Sequence, residues 1–275
     1  MYPFSFQNPT RIEFGLDKEK EMGNYMHEYG AKKALIIYGS DRVKQSGLFE
    51  DVAKSLREHG IEYIECGGVK SNPTISKVRK AVTMAKAFGA DSVLSIGGGS
   101  CLDSAKAIAA GACYDGDTWD FFKGTPVQKA LIIFDVITLA ATGSEMNWGA
   151  VITNEEMQQK YSIHNNHLFP KVSVINPKLQ ATVSRDYLVY SAADIIAHSI
   201  EAYFTAEYRP EIIDFLVESN IKTVIRTTEI LLNDPQDLNA RGEFAWAATL
   251  ALNGLTHLGI SPYGCLLYTS DAADE

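Results

Sequence analysis

Ser95-Ile96-Gly97-Gly98-Gly99-Ser100-Cys101-Leu102-Asp103-Ser104-Ala105-Lys106 closes the apolar run Asp91–Ile96 and opens a small-residue run through Ala107-Ile108-Ala109-Ala110. The order reads as strand, glycine turn, helix. Glycine has no Cβ, so such a turn lets an anion approach the backbone, and the N–H groups of the helix start then face it. Ser100 stands where an N-cap belongs, with Asp103 three positions on in the first turn. The same residues also suit a tight βα corner that holds no ligand. Neither G-x-G-x-x-G nor the P-loop pattern is present, so the surroundings have to decide.

Upstream, Arg11–Gly15 reads as a short strand and Glu19–Tyr29 as a polar helix. Ala34-Leu35-Ile36-Ile37-Tyr38 reads as a buried strand ending in Gly39-Ser40-Asp41-Arg42. A helix over 47–59, a strand over 61–64 and a helix over 74–88 follow, and this alternation predicts βαβ units in a parallel sheet covered on both faces. Ligands of such sheets sit beyond the carboxyl ends of the strands, where Gly39–Arg42 and Gly97–Ser100 both fall. Downstream, Leu131–Ile137 is a strand that runs into the hydroxyl-rich loop Thr138–Asn147. That loop suits phosphate or ribose, or satisfies its own backbone through Ser/Thr turns. Residues 150–153 and 160–163 read as a hairpin, and Val172–Ile175 as the last strand. Three long helical segments follow, near 185–204, 211–232 and 238–255, which puts a boundary near Gln180.

In the first of these segments Asp194 and His198 stand at i and i+4, one turn apart on one helix face. Carboxylate and imidazole both suit zinc or ferrous iron, although the same spacing also serves a plain ion pair. His164 and His167 are read as solvated or cleft-lining loop residues, and His257 as a helix-ending cap residue. The net charge of −9, from 25 basic and 34 acidic residues, argues against nucleic acid or an anionic membrane as partner. Four cysteines without a regular spacing suggest free thiols in the cytoplasm. No secretory signal or spanning apolar run is apparent.

Taken together, Gly97-Gly98-Gly99-Ser100-x-x-Asp103-x-Ala105-Lys106, Thr138-x-x-x-Thr142-Gly143-Ser144-Glu145 and Asp194-x-x-x-His198-x-x-Glu201 closely resemble the iron-containing (group III) alcohol dehydrogenases, and within them the butanol dehydrogenase branch. The resemblance runs from the first strand to about Gly254. It implies an α/β N-terminal domain, 1–180, with a parallel Rossmann-like sheet that binds NAD or NADP. It further implies an all-α C-terminal domain, 181–275, and a catalytic metal, Fe2+ or Zn2+, in the cleft between the two. Carried over by motif, Gly98, Gly99, Ser100 and Asp103 would hold the pyrophosphate and nicotinamide side. Thr138, Thr142 and Gly149 would meet the cofactor from the following loop, and Lys160 from the hairpin. Gly39, Ser40 and Asp41 would lie near the adenosine ribose. Asp41 would repel a 2′-phosphate and Arg42 attract one; the branch likeness leans to NADP.

Asp194 and His198 match the first two metal ligands. The family's third and fourth are histidines on helices after Asn253-Gly254-Leu255; this sequence does not supply them, and His257 comes too early. The expectation is a C-terminally truncated chain whose residues 265–275 read as translated adapter sequence, with weak metal binding and poor turnover. The implied reaction is metal-assisted hydride transfer on a small alcohol or aldehyde such as butanol, by a full-length homodimer. A glycerol or polyol dehydrogenase of the same superfamily is the nearest rival, and a nucleotide-binding fragment without catalysis the other.

Overall fold

The computed structural model describes residues 1–262, so the expectation for 265–275 lies outside the described residues. The strands are β1 (Arg11–Phe14), β2 (Lys33–Tyr38), β3 (Glu62–Cys66), β4 (Ser92–Gly97), β5 (Ile132–Ile137), β6 (Gly149–Asn154), β7 (Gln159–His164) and β8 (Val172–Ile175). The helices are α1 (Met22–Glu28), α2 (Arg42–Gln45), α3 (Leu48–Glu58), α4 (Ile75–Phe88), α5 (Gly99–Ala112), α6 (Trp119–Phe122), α7 (Pro177–Gln180), α8 (Arg185–Thr205), α9 (Glu211–Asn233) and α10 (Leu238–Ala251).

Two compact units account for these elements. The first holds Pro9–Leu139 and Ser144–Asn176. Its six-stranded sheet runs in the order β1-β8-β5-β4-β2-β3 and every pairing is parallel. Strands β2, β4, β5 and β8 are apolar almost throughout and buried along their length, as expected of a sheet covered by helices on both faces. From β2 the chain steps outward to β3, then crosses back to place β4 on the other side of β2. That reversal defines a topological switch point between β2 and β4. β6 and β7 form a separate antiparallel hairpin.

Helix α5 explains how the glycine turn is held. A Cβ on Gly97 would stand 2.5 Å from Cys101 Sγ, so the strand end and the first helical turn approach more closely than any side chain permits. At the other end of α5, a Cβ on Gly111 would lie 2.3 Å from Thr118 Oγ1 and 2.8 Å from Val82 Cγ2. The alanine-rich face between them, Ala105, Ala107, Ala109 and Ala110, is fully buried.

The second unit gathers Met1–Asn8, Ala140–Gly143 and, of the described residues, those from Pro177 onward. Its described part is helical. Ser184 caps α8 by accepting from the Tyr187 N–H, and Asp237 caps α10 by accepting from Asn239 and Ala240. Pro210 directly precedes α9, where its fixed φ suits a helix entry. Asn220 of α9 donates to Ser199 Oγ of α8 at 3.1 Å and to the Ala247 carbonyl of α10 at 3.0 Å, which ties the three helices together.

Candidate functional site

Two groups of residues, one in each unit, carry the candidate chemistry. In the α/β unit, Gly39-Ser40-Asp41 follows β2 and Gly98-Gly99-Ser100 follows β4, on either side of the switch point. One detail departs from the sequence expectation. Gly98, not Ser100, occupies the N-cap of α5, with an extended backbone (φ −92°, ψ −169°) and no side-chain cap, and Ser100 is already inside the helix. The position suits glycine, since a Cβ at Gly98 would come within 3.1 Å of Leu139 Cβ. A glycine cap brings no side-chain oxygen to the first N–H groups, which suits an anionic ligand better than a serine cap would.

Thr138 joins this edge, its N–H donating to the Gly97 carbonyl at 2.9 Å. Gly149 starts β6, and Lys160 stands on the exposed face of β7 opposite Thr153, further along the hairpin. Thr142 groups with the helical unit. His164 is the last residue of β7, paired in register with Gly149, and not a loop residue as read from the sequence. Its neighbours include Asp103 and Lys106, and burial and then Lys106 hold its imidazole below the ordinary histidine value.

Asp103 is engaged on both oxygens. Oδ1 accepts from Ser144 Oγ at 2.7 Å and Oδ2 from the Val151 N–H at 3.0 Å. Burial pushes its carboxyl above the usual range; Lys106 and these two hydrogen bonds pull the other way. Lys106, fully buried one turn later on α5, donates into the segment Ser144–Gly149. From the sequence, Ser144 and Asn147 belong to the loop that suits phosphate or ribose and Lys106 to the glycine motif, but nothing there pairs the lysine with that loop. The available signal was a lone lysine inside the alanine-rich run of α5, but its partners lie about forty positions downstream.

In the helical unit, Asp194 and His198 share one face of α8, with His198 Nδ1 3.8 Å from Asp194 Oδ2. The His198 side chain is 10% exposed and that of Asp194 36%. His198 Nδ1 is buried without a hydrogen-bond partner. A buried nitrogen left open beside a half-open carboxylate is a donor set that fits a divalent metal. Among the described residues no group of three His, Cys, Asp or Glu side chains is arranged to hold one. His257 sits in a short turn after Gly254, its Nδ1 3.0 Å from Thr256 Oγ1. The Thr256 hydroxyl reaches the Ala251 carbonyl at the end of α10 at 3.3 Å, the role expected of His257.

Comparison with known proteins gives a consistent picture. The family description "Iron-containing alcohol dehydrogenase" matches residues 9–177, and "Fe-containing alcohol dehydrogenase family, C-terminal" matches 188–261. Probable NADH-dependent butanol dehydrogenase 1 of Bacillus subtilis is 39% identical over 260 residues, covering 94% of this chain and 67% of that protein. NADH-dependent butanol dehydrogenase A of Clostridium acetobutylicum is 37% identical over the same length and with the same coverage. The crystal structure of NADH-dependent butanol dehydrogenase A from Thermotoga maritima superposes with a TM-score of 0.93 at 45% identity, covering 96% of this chain and 66% of that one. The chain thus spans about two thirds of the length of these relatives. No helix among the described residues is long and apolar enough to cross a membrane.

Proposed function

Because this chain belongs to the iron-containing alcohol dehydrogenase family, we propose that it serves the NAD(P)-linked interconversion of small primary alcohols and aldehydes, with butanol and butyraldehyde as the model pair. The observation that carries the nucleotide part is the placement of two glycine turns at the carboxyl edge of a parallel sheet, flanking the point where strand order reverses. Gly98, Gly99 and Ser100 would receive the pyrophosphate on the N–H groups at the start of α5. Thr138, Gly149 and Lys160, all of the α/β unit, would meet the remainder of the cofactor, and Gly39, Ser40 and Asp41 the adenosine ribose. Asp103, whose oxygens are both taken by protein groups, would act by fixing the segment beside the cofactor.

Asp194 and His198 would hold a ferrous or zinc ion, the carboxylate adding negative charge and the imidazole a neutral nitrogen. When bound, the nicotinamide supplies a hydride acceptor or donor, and the ion supplies Lewis acidity toward the substrate oxygen. Asp41 and Arg42 are both exposed and act in opposite senses on a 2′-phosphate, so the NADH-dependent names of the three relatives above are what supports NADH over NADPH. With Asp194 and His198 as donors, the rate is expected to rise with added metal.

The test is a fluorescence titration with NADH and with NADPH, followed by butyraldehyde reduction with and without ferrous iron or zinc. Saturable NADH binding and a rate that rises with metal and falls in Asp194→Asn are the expected results. Absence of saturable binding by either nucleotide contradicts the proposal.

A further inference from the structure

Lys106 has 0% of its surface exposed, and its ammonium lies among five oxygens. Nζ is 2.8 Å from the Ser144 carbonyl, 2.9 Å from Ser144 Oγ, 3.0 Å from the Asn147 carbonyl, 2.9 Å from Asn147 Oδ1 and 2.8 Å from the Gly149 carbonyl. Every one of these acceptors belongs to the single segment 144–149. An ammonium has three N–H donors, so the five oxygens share them and the charge holds the whole set. Asp103, at i−3 on the same helix, takes Ser144 Oγ at 2.7 Å and the Val151 N–H at 3.0 Å from the same stretch of chain. Two side chains of α5 therefore grip one short segment from one side, and three of its carbonyls are turned inward onto a single atom.

A fully buried lysine is expensive, because desolvating the ammonium costs several kcal/mol unless oxygens and counter-charges offset it. An alanine-rich helix would pack as well with an apolar residue there. What the ammonium does that an apolar residue cannot is gather carbonyl oxygens from the short turn Ser144–Met146, the bend at Asn147 and the first residue of β6 onto one point. We propose that Lys106 is the positioning residue of the cofactor loop: it fixes Ser144–Gly149 on α5 so that the segment meets the nucleotide in one geometry. This rests on reading the α/β unit as the nucleotide-binding unit.

The groups that face Lys106 are Asp103 on its own helix, Glu145 in the turn Ser144–Met146, Asp135 on β5 and His164 on β7. Burial lowers the lysine from 10.5 to about 8, with Asp103, then Glu145 and Asp135, opposing. The neutral amine above that pH has two N–H donors and no charge, so the segment is held less firmly. The sign for the fold is the opposite. A folded-state value below the unfolded one means that stability attributable to this group rises between about 8 and 10.5. Affinity and stability therefore move in opposite directions with pH, which a purely structural role would not produce.

The experiment compares wild type, Lys106→Met and Lys106→Arg in the whole chain. It measures hydrogen exchange of peptides spanning 144–151 without nucleotide, and NADH affinity against pH by fluorescence. Lys106→Met should lose protection in that segment and lose NADH affinity by roughly tenfold or more, as expected when hydrogen bonds to a charged group are removed. Wild-type affinity should fall as pH rises through about 8, while Lys106→Arg, which keeps its charge, should show a flat profile. Unchanged exchange at 144–151 in a folded Lys106→Met chain overturns the proposal, as does an NADH affinity in that chain equal to that of wild type. If Lys106→Met does not fold, exchange at 144–151 in Asn147→Ala, which removes one of the five oxygens around Nζ, decides: lost protection supports the proposal and unchanged protection overturns it. If wild type binds neither nucleotide, the proposed function fails, and the exchange data still decide whether Lys106 anchors the segment.

Discussion

Asp135 sits at the centre of the sheet, its backbone in register with Ser95 on one side and Ser173 on the other, and it is fully buried. Burial and then the neighbouring Glu145 push its carboxyl well above the usual range, against smaller opposing effects of Ser95 and Lys106. An acid whose folded value is raised contributes its stability below the unfolded value and loses it as pH climbs through the folded one. Asp135→Asn keeps the shape and removes the ionisation, so it should stabilise the chain, on the order of 1 kcal/mol, with a larger gain at neutral than at mildly acidic pH. Urea unfolding at two pH values checks this; a loss of stability at neutral pH would mean that the charged carboxylate is needed. Residues of this kind mark the limit of sequence reading. Asp135 reads as one polar position inside an apolar strand, and Lys106 as a lysine among alanines. The meaning of each comes from partners brought together by the fold: Glu145 for the first, Ser144, Asn147 and Gly149 for the second.

Helix α5 is the element on which the α/β unit turns. Its composition announced it: three glycines after an apolar strand, then a run of alanines that the fold buries completely. Strands β2, β4, β5 and β8 were equally readable, because a parallel sheet buried on both faces demands continuous apolar runs. The cap was not readable. Ser100 satisfies the sequence rule for an N-cap, yet the helix starts earlier, with Gly98 at the cap and pressed close to Leu139, and no local pattern reports a contact made about forty residues away. The same close packing gives a prediction at the far end of the helix. Gly111→Ala would drive a methyl group into Thr118 and Val82, so α4 and α5 must separate; a loss of roughly 1–3 kcal/mol in urea unfolding is expected. A variant as stable as wild type would show that this helix pair has slack the structure does not display.

For the molecule as a whole, the change from alternating strands and helices to helices alone is visible in the residues after Val172–Ile175. That Ala140–Gly143 groups with the helical unit has no such signal, since membership is decided by tertiary contact. The candidate chemistry divides between the units: a nucleotide edge on one, an Asp194–His198 pair on the other. The first of these is the central claim, and Ser100 allows it to be tested apart from stability. An aspartate in the first turn of α5 favours the helix dipole by about 0.3–1 kcal/mol, yet it places a negative charge where the pyrophosphate would bind. The measurement is NADH titration of wild type and Ser100→Asp, each with its thermal midpoint. Saturable binding by wild type and a loss of roughly tenfold or more in Ser100→Asp, at equal or higher thermal stability, are expected. Equal NADH affinity in the two proteins would contradict that claim, and would leave the glycine turn as a corner in the fold with no cofactor upon it.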